Sequence, residues 1–196
     1  VREMVVRLGF GRALNLADTL STAAGQLPEA ETLTSSGAFA NFCFGQGELL
    51  ATPIQIAAMM NTIAAGGIWR EPLFLECTLD ETTGESLTAL AHRGARRVFS
   101  AQTARALREL LASVVTEGTG HEAAPTEGTA AGKTGTAQTG QFAAGKELKN
   151  YWFAGFYPAR NPRYTIVVLQ DGQTGPSQTS AAIFARVCDA LDAAGE

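Results

Sequence analysis

Four consecutive residues, Lys133-Thr134-Gly135-Thr136, bring together a cation, two hydroxyls and a position with no side chain. On a strand, these groups suit a site that grips a carboxylate and stabilises an oxyanion. Lys133 supplies the positive charge and Thr134 a hydroxyl that can meet a substrate carboxylate. Gly135 lets a substrate backbone lie against the strand edge. Thr136 adds a hydroxyl and a backbone N–H where negative charge develops on a carbonyl oxygen. The small residues just upstream, Thr129 to Gly132, are expected to keep the approach open.

The same stretch contains Gly132-Lys133-Thr134, the end of a phosphate-binding loop. That motif requires a glycine five positions before Gly132, and Glu127 stands there, its carboxylate facing the phosphates. A helix N-terminus should also follow the lysine, because its N–H groups hold the anion. "TGTAQTGQ" follows instead, with two glycines and no helical period. The strand reading is preferred over the nucleotide reading.

Several elements are needed to position such a strand. A short helix is expected at about Arg2 to Leu8, followed by an irregular Gly/Pro/Ser-rich stretch to Gly37. Thr52-Pro53-Ile54-Gln55 carries a capping box with proline in the first turn, so a helix should run from Pro53 to about Ala65. Residues 68–98 read as loop and short strands. Ser100 caps a helix with Leu107, Leu110, Leu111, Val114 and Val115 at helical spacing, stopped at Gly118. Three strands follow: "GTAAGKTGTAQ", Tyr151 to Tyr157, and Arg163 to Gln170, the last apolar enough to be buried on both faces. Only Pro158 to Pro162 separate the last two, which demands an antiparallel hairpin. Thr139 to Asn150 reads as a mobile connector. A final helix is expected over about Ser177 to Ala193, with Ile183, Phe184, Val187, Cys188 and Leu191 on one face. The fold class is α+β, an antiparallel three-strand sheet packed with helices.

With 45% hydrophobic and 17% charged residues, the chain should fold around a core. A net charge of −4 without a basic block argues against a nucleic-acid face. No apolar run reaches the roughly 18–20 residues of a membrane span. Cys43, Cys77 and Cys188 form no close pair, and His92 and His121 are the sole histidines, so no zinc site is expected. Without an initiator Met or a signal-peptide pattern, the opening reads as the middle of a longer protein.

Beyond these elements, the chain resembles the C-terminal half of the transpeptidase domain of class B, high-molecular-weight penicillin-binding proteins. The resemblance rests on "FGQGELLATPIQIAAMMNTIAAGGIWREP" (44–72), "VFSAQTARALRELLASVVTEGTG" (98–120), "AGKTGTAQT" (131–139) and "YWFAGFYPARNPRYTIVVL" (151–169), in the family's order. Lys-Thr-Gly is a signature of such proteins and of class A β-lactamases. The resemblance implies a serine acyltransferase that cross-links peptidoglycan stem peptides outside the cytoplasmic membrane and is acylated by β-lactams. It implies no metal or organic cofactor, and other cell-wall synthesis proteins as partners. Its substrate-lining strand matches Lys133, Thr134, Gly135 and Thr136.

The family's other two signatures do not occur. Three residues before Lys133, Lys146 and Lys149 stand Ala130, Ala143 and Lys146, so there is no Ser-x-x-Lys. Two residues before the five asparagines stand Ala13, Phe39, Met59, Leu148 and Ala159, so there is no Ser-x-Asn. A serine without an adjacent base is a poor nucleophile. The expectation is that residues 1–196 are the C-terminal portion of the domain and inactive alone. The family's sheet has five strands, two of them from the N-terminal side. Three strands would therefore leave an apolar edge near Tyr164 to Leu169, open to self-association.

Two other functions keep the same motif: a non-catalytic module that binds wall peptide or protein, and a β-lactamase or β-lactam sensor. Among other polar residues, His121 reads as a loop histidine and Glu48 as a loop carboxylate. Asp80, Glu81 and Glu85 form a turn without calcium-ligand spacing. Trp152 and Phe153 read as core and cleft wall.

Overall fold

The computed structural model describes residues 1–17, 19–75, 77–89 and 94–195. His92, considered above for zinc, lies outside them. The chain opens with α1 (Arg2–Arg7), the small ribbon β1 (Asn15–Ala17) and β2 (Leu20–Ser21), then α2 (Ser36–Cys43) and α3 (Pro53–Ala64). Four short strands follow: β3 (Ile68–Arg70), β4 (Cys77–Leu79), β5 (Ser86–Ala89) and β6 (Ala95–Arg97). They pair antiparallel as β3 with β6 and β4 with β5. Helix α4 (Ala101–Thr116) leads to the main sheet of β7 (Ala131–Ala143), β8 (Lys146–Tyr157) and β9 (Tyr164–Gln173), and α5 (Ser180–Ala193) closes the fold.

Capping residues set the helix starts. At α3, the Thr52 hydroxyl accepts the Gln55 N–H at 3.3 Å and the Gln55 side chain accepts the Thr52 N–H at 2.9 Å. Ser100 caps α4 by accepting the Thr103 N–H at 3.0 Å. Helix α5 begins at Ser180 rather than near Ser177, because Thr179 is its cap and accepts the Ala182 N–H. Helix α2, capped by Ser35, starts at the end of the stretch expected to be irregular and was not anticipated. Gly37 sits in its first turn, and an interior glycine weakens the local helical signal.

The main sheet is the expected antiparallel meander, in the order β7-β8-β9. Lys133 lies opposite Ala154, Thr134 opposite Phe153, Gly135 opposite Trp152 and Thr136 opposite Tyr151. Tyr157 opposite Tyr164 closes the second hairpin. The connector read at Thr139 to Asn150 is instead strand on both sides of a two-residue turn. Ala144 and Gly145 both have positive φ, 49° and 76°. Positive φ at both positions matches the twist of a tight hairpin, and alanine in the first of them hid the signal. A register shift between Gln138 and Phe142 marks a bulge in the extended arm.

Three apolar clusters hold the layers. Phe153, Tyr157, Phe184 and Cys188 join Val115 on the α5 side of the sheet. Phe153 and Phe184 are fully buried, with ring centroids 4.7 Å apart and planes tilted by 58°. On the other face Ala131, Ala154 and Phe156 meet Met60 and Ile63 of α3. Strand β9 is half-buried on both faces rather than fully buried. Tyr164, Ile166 and Val168 face the α5 side and Val167 the α3 side. It is an outer strand of the sheet, so one edge stays unpaired among the described residues. Two helix positions also differ from the periodicity: Leu110 is 64% exposed, and Val187 lies on the outer side of α5.

The third cluster packs Leu8, Phe10, Leu14 and Leu16 against Trp69 and Val98. Gln55, fully buried, ties this segment to α3. Its amide donates to the carbonyls of Ala24 at 2.9 Å and Arg12 at 3.0 Å. The Trp69 indole N–H donates to the Leu8 carbonyl at 2.8 Å, while the Arg96 guanidinium lies 3.8 Å from the ring centroid.

Candidate active site

Strand β7 reaches its position because its first residues have no bulk. A Cβ on Gly132 would sit 2.5 Å from Phe153 Cε1 and 2.7 Å from the Ala154 carbonyl oxygen. Ala130 and Ala131 are buried at 1% and 0% exposure. These small residues therefore seat β7 on the core. Of the stretch Thr129 to Gly132 that the sequence suggested as an open approach, only Thr129 is exposed, because the two alanine side chains point into the layers on either side of the sheet. Gly135 is tight as well, since a Cβ there would stand 3.3 Å from Trp152 Cβ.

Beyond that seat the strand emerges. Lys133 and Thr136 are exposed and Thr134 half-buried. The Lys133 ammonium folds over the strand and donates to the Thr134 carbonyl and hydroxyl, each at 3.1 Å. No carboxylate among the described residues pairs with it. The Thr134 hydroxyl also lies 3.3 Å from the Thr119 hydroxyl, on the "EGTG" turn after α4. The Gln46 amide donates to the Thr136 carbonyl at 3.0 Å. In an antiparallel strand the N–H and C=O of one residue point the same way, so the Thr136 N–H faces this unpaired edge too. A cation, two hydroxyls and an outward backbone N–H thus line one edge.

Gln46 and Thr119 are additions to the site that sequence reasoning missed. The first lies between Gly45 and Gly47, both at positive φ, in a stretch that carried the family resemblance without a role assigned to the glutamine. The second was read as part of a helix stop. The remaining candidates stay outside. His121 is exposed at the start of a one-turn helix (His121–Ala123), and no hydrogen bond of its ring is formed to a serine or carboxylate of the described residues. Glu48 is exposed. The Asp80 carboxylate accepts the N–H groups of Thr83 and Thr82 at 2.8 Å, which hold it below the usual aspartate range. Trp152 is half-buried, and Phe153 is fully buried in the core, as expected for it.

The fold is matched in proteins of known structure. The chain superposes on the apo crystal structure of penicillin-binding protein 3 from Mycobacterium tuberculosis with a TM-score of 0.83 and 30% identity, covering 98% of this chain and 46% of that one. The same protein complexed with aztreonam gives a TM-score of 0.82. The family model of the penicillin binding protein transpeptidase domain matches residues 1–189, and the chain belongs to that family. Penicillin-binding protein PbpB of Mycolicibacterium smegmatis is 33% identical over 96% of this chain and 31% of its own length. Peptidoglycan D,D-transpeptidase FtsI of Escherichia coli is 31% identical over 92% of this chain and 29% of its own length. The chain therefore spans about a third of the length of these relatives. No helix of the described residues is long and apolar enough to cross a membrane.

Proposed function

We propose that this chain is the C-terminal portion of a serine D,D-transpeptidase domain and forms one wall of its cleft. The observation that carries the reading is the edge of β7, where the Lys133 ammonium has no carboxylate partner among the described residues and stands beside the Thr134 hydroxyl. Lys133 and Thr134 bind the terminal carboxylate of a D-Ala-D-Ala stem peptide, as a charge-assisted pair. Gly135 lets the peptide lie along the edge. The Thr136 N–H donates to the carbonyl oxygen as it becomes an oxyanion.

The serine comes from polypeptide other than these residues, since no Ser-x-x-Lys occurs among them. Its oxygen bonds to the penultimate carbonyl carbon, the amide C–N bond breaks, and the terminal D-Ala leaves with the serine proton. A β-lactam, holding a carboxylate and a strained amide at like spacing, acylates the same serine. The site works on the outer side of the cytoplasmic membrane, where the wall is built, alongside other wall-synthesis proteins. The unpaired edge of β9 supports pairing with the rest of the domain, or self-association when the chain is alone.

Intact mass after incubation with a penicillin tests this. The 196-residue chain should gain no adduct. The intact protein containing it should gain one drug molecule, and Lys133→Ala should slow that gain at least tenfold. An adduct on the chain alone would overturn the assignment of the serine. Light scattering that finds a strict monomer at high concentration would overturn self-association.

A further inference from the structure

A groove of about 420 Å³ runs between α4, the lead-in to β7 and the β8–β9 turn. Its walls are pinned together, because the Ala159 N–H donates to the Thr129 carbonyl at 2.7 Å. Arg105 and Arg108 line it from α4, three residues apart and so on one helix face, and Arg160 lines it from the turn. Glu109 is the one carboxylate in the lining.

None of these three guanidiniums has a hydrogen-bond or ion-pair partner among the described residues. Arg2, Arg7, Arg12, Arg96 and Arg97, by contrast, each donate to a carbonyl or a carboxylate. In a chain of net charge −4, three free cations against one carboxylate make a local excess of positive charge. Ala112 and Ala159, both half-buried, give the groove a small apolar floor. Its volume falls within the roughly 300–1,000 Å³ of small-molecule sites.

We propose that this groove binds a phosphomonoester, carried by a small molecule or by a lipid headgroup. A phosphomonoester carries about −1.5 to −2 charge at neutral pH and three acceptor oxygens, matching the excess of cations over Glu109. The planar guanidinium fork suits such oxygens better than a lysine would. The apolar floor takes the carbon body of the ligand. The reading is independent of the acyl-transfer site, which lies on the other part of β7.

Calorimetric titration of the full chain with glycerol 3-phosphate at low ionic strength tests it. One saturable site is expected. Arg108→Ala, and separately the Arg105→Ala/Arg160→Ala pair, should weaken binding about tenfold or more. Glu109→Gln should tighten it, a gain that misfolding cannot imitate. Sedimentation with phosphatidic acid vesicles, against phosphatidylcholine alone, separates the sources: vesicle binding competed by glycerol 3-phosphate assigns the lipid, and binding of the soluble ester alone assigns a free phosphomonoester. The proposal is overturned if neither probe binds saturably, or if the arginine variants bind unchanged.

Discussion

The Gln46 side chain donates to the Thr136 carbonyl at 3.0 Å, between residues 90 apart in sequence. The loop after α2 is thereby fastened to the exposed edge of β7, one residue beyond the Lys-Thr-Gly triplet. With its carbonyl engaged, Thr136 keeps its outward N–H for a ligand.

Gln46→Ala should therefore slow penicillin acylation of the intact protein. One hydrogen bond is worth about 1 kcal/mol, or roughly fivefold in rate. The urea midpoint should barely move, since neither residue is buried. Stopped-flow acylation with a fluorescent penicillin measures the rate, and an unchanged value would detach Gln46 from the cleft.

Gly132→Ala should destabilise the fold. The added methyl meets a fully buried ring at 2.5 Å and a backbone carbonyl at 2.7 Å, and neither can withdraw freely. Overpacking of this kind costs about 1–3 kcal/mol, readable as a lower urea midpoint with the slope unchanged. A midpoint equal to wild type would mean that β7 and β8 are less closely seated.

Gln55→Ala removes a cap and a buried hub together. The Thr52 N–H and the carbonyls of Arg12 and Ala24 lose their side-chain partner in the interior. A loss of about 3 kcal/mol is expected in chemical denaturation. Protection of the residue 9–24 amides in hydrogen exchange should fall with it.

Stability should decline in alkaline solution. The Tyr157 hydroxyl donates to the Asp192 carboxylate at 2.6 Å, and this bond, with burial, pushes its pKa up to about 12. Burial likewise pushes the Cys188 thiol up to about 12. Both groups hold protons more tightly when folded, so their stabilisation is complete below the unfolded pKa values of about 9 to 10 and is lost as pH rises toward 12. Urea midpoints from pH 8 to 12 should fall, and Tyr157→Phe should lessen the slope. A slope unchanged in that variant would remove Tyr157 from the account.

Local signals carried much of this protein. Thr52, Ser100 and the alternation in Tyr151 to Tyr157 were legible because caps and strand periods act between near neighbours. The five-residue link at Pro158 to Pro162 was enough to make the hairpin antiparallel. The same local view lost α2 and the Ala144-Gly145 turn, where one residue departs from the usual composition.

By itself, the amino-acid sequence determined the α+β class, the meander and the chemical groups of the Lys133–Thr136 edge, because each depends on residue types at short spacing. The tertiary structure alone decided that Gln46 and Thr119 join that edge, that Ala130 to Gly132 are a seat, and that three arginines share one groove. The physical reason is that these relations join distant segments, and several end on backbone carbonyls, which every residue possesses and no sequence pattern distinguishes.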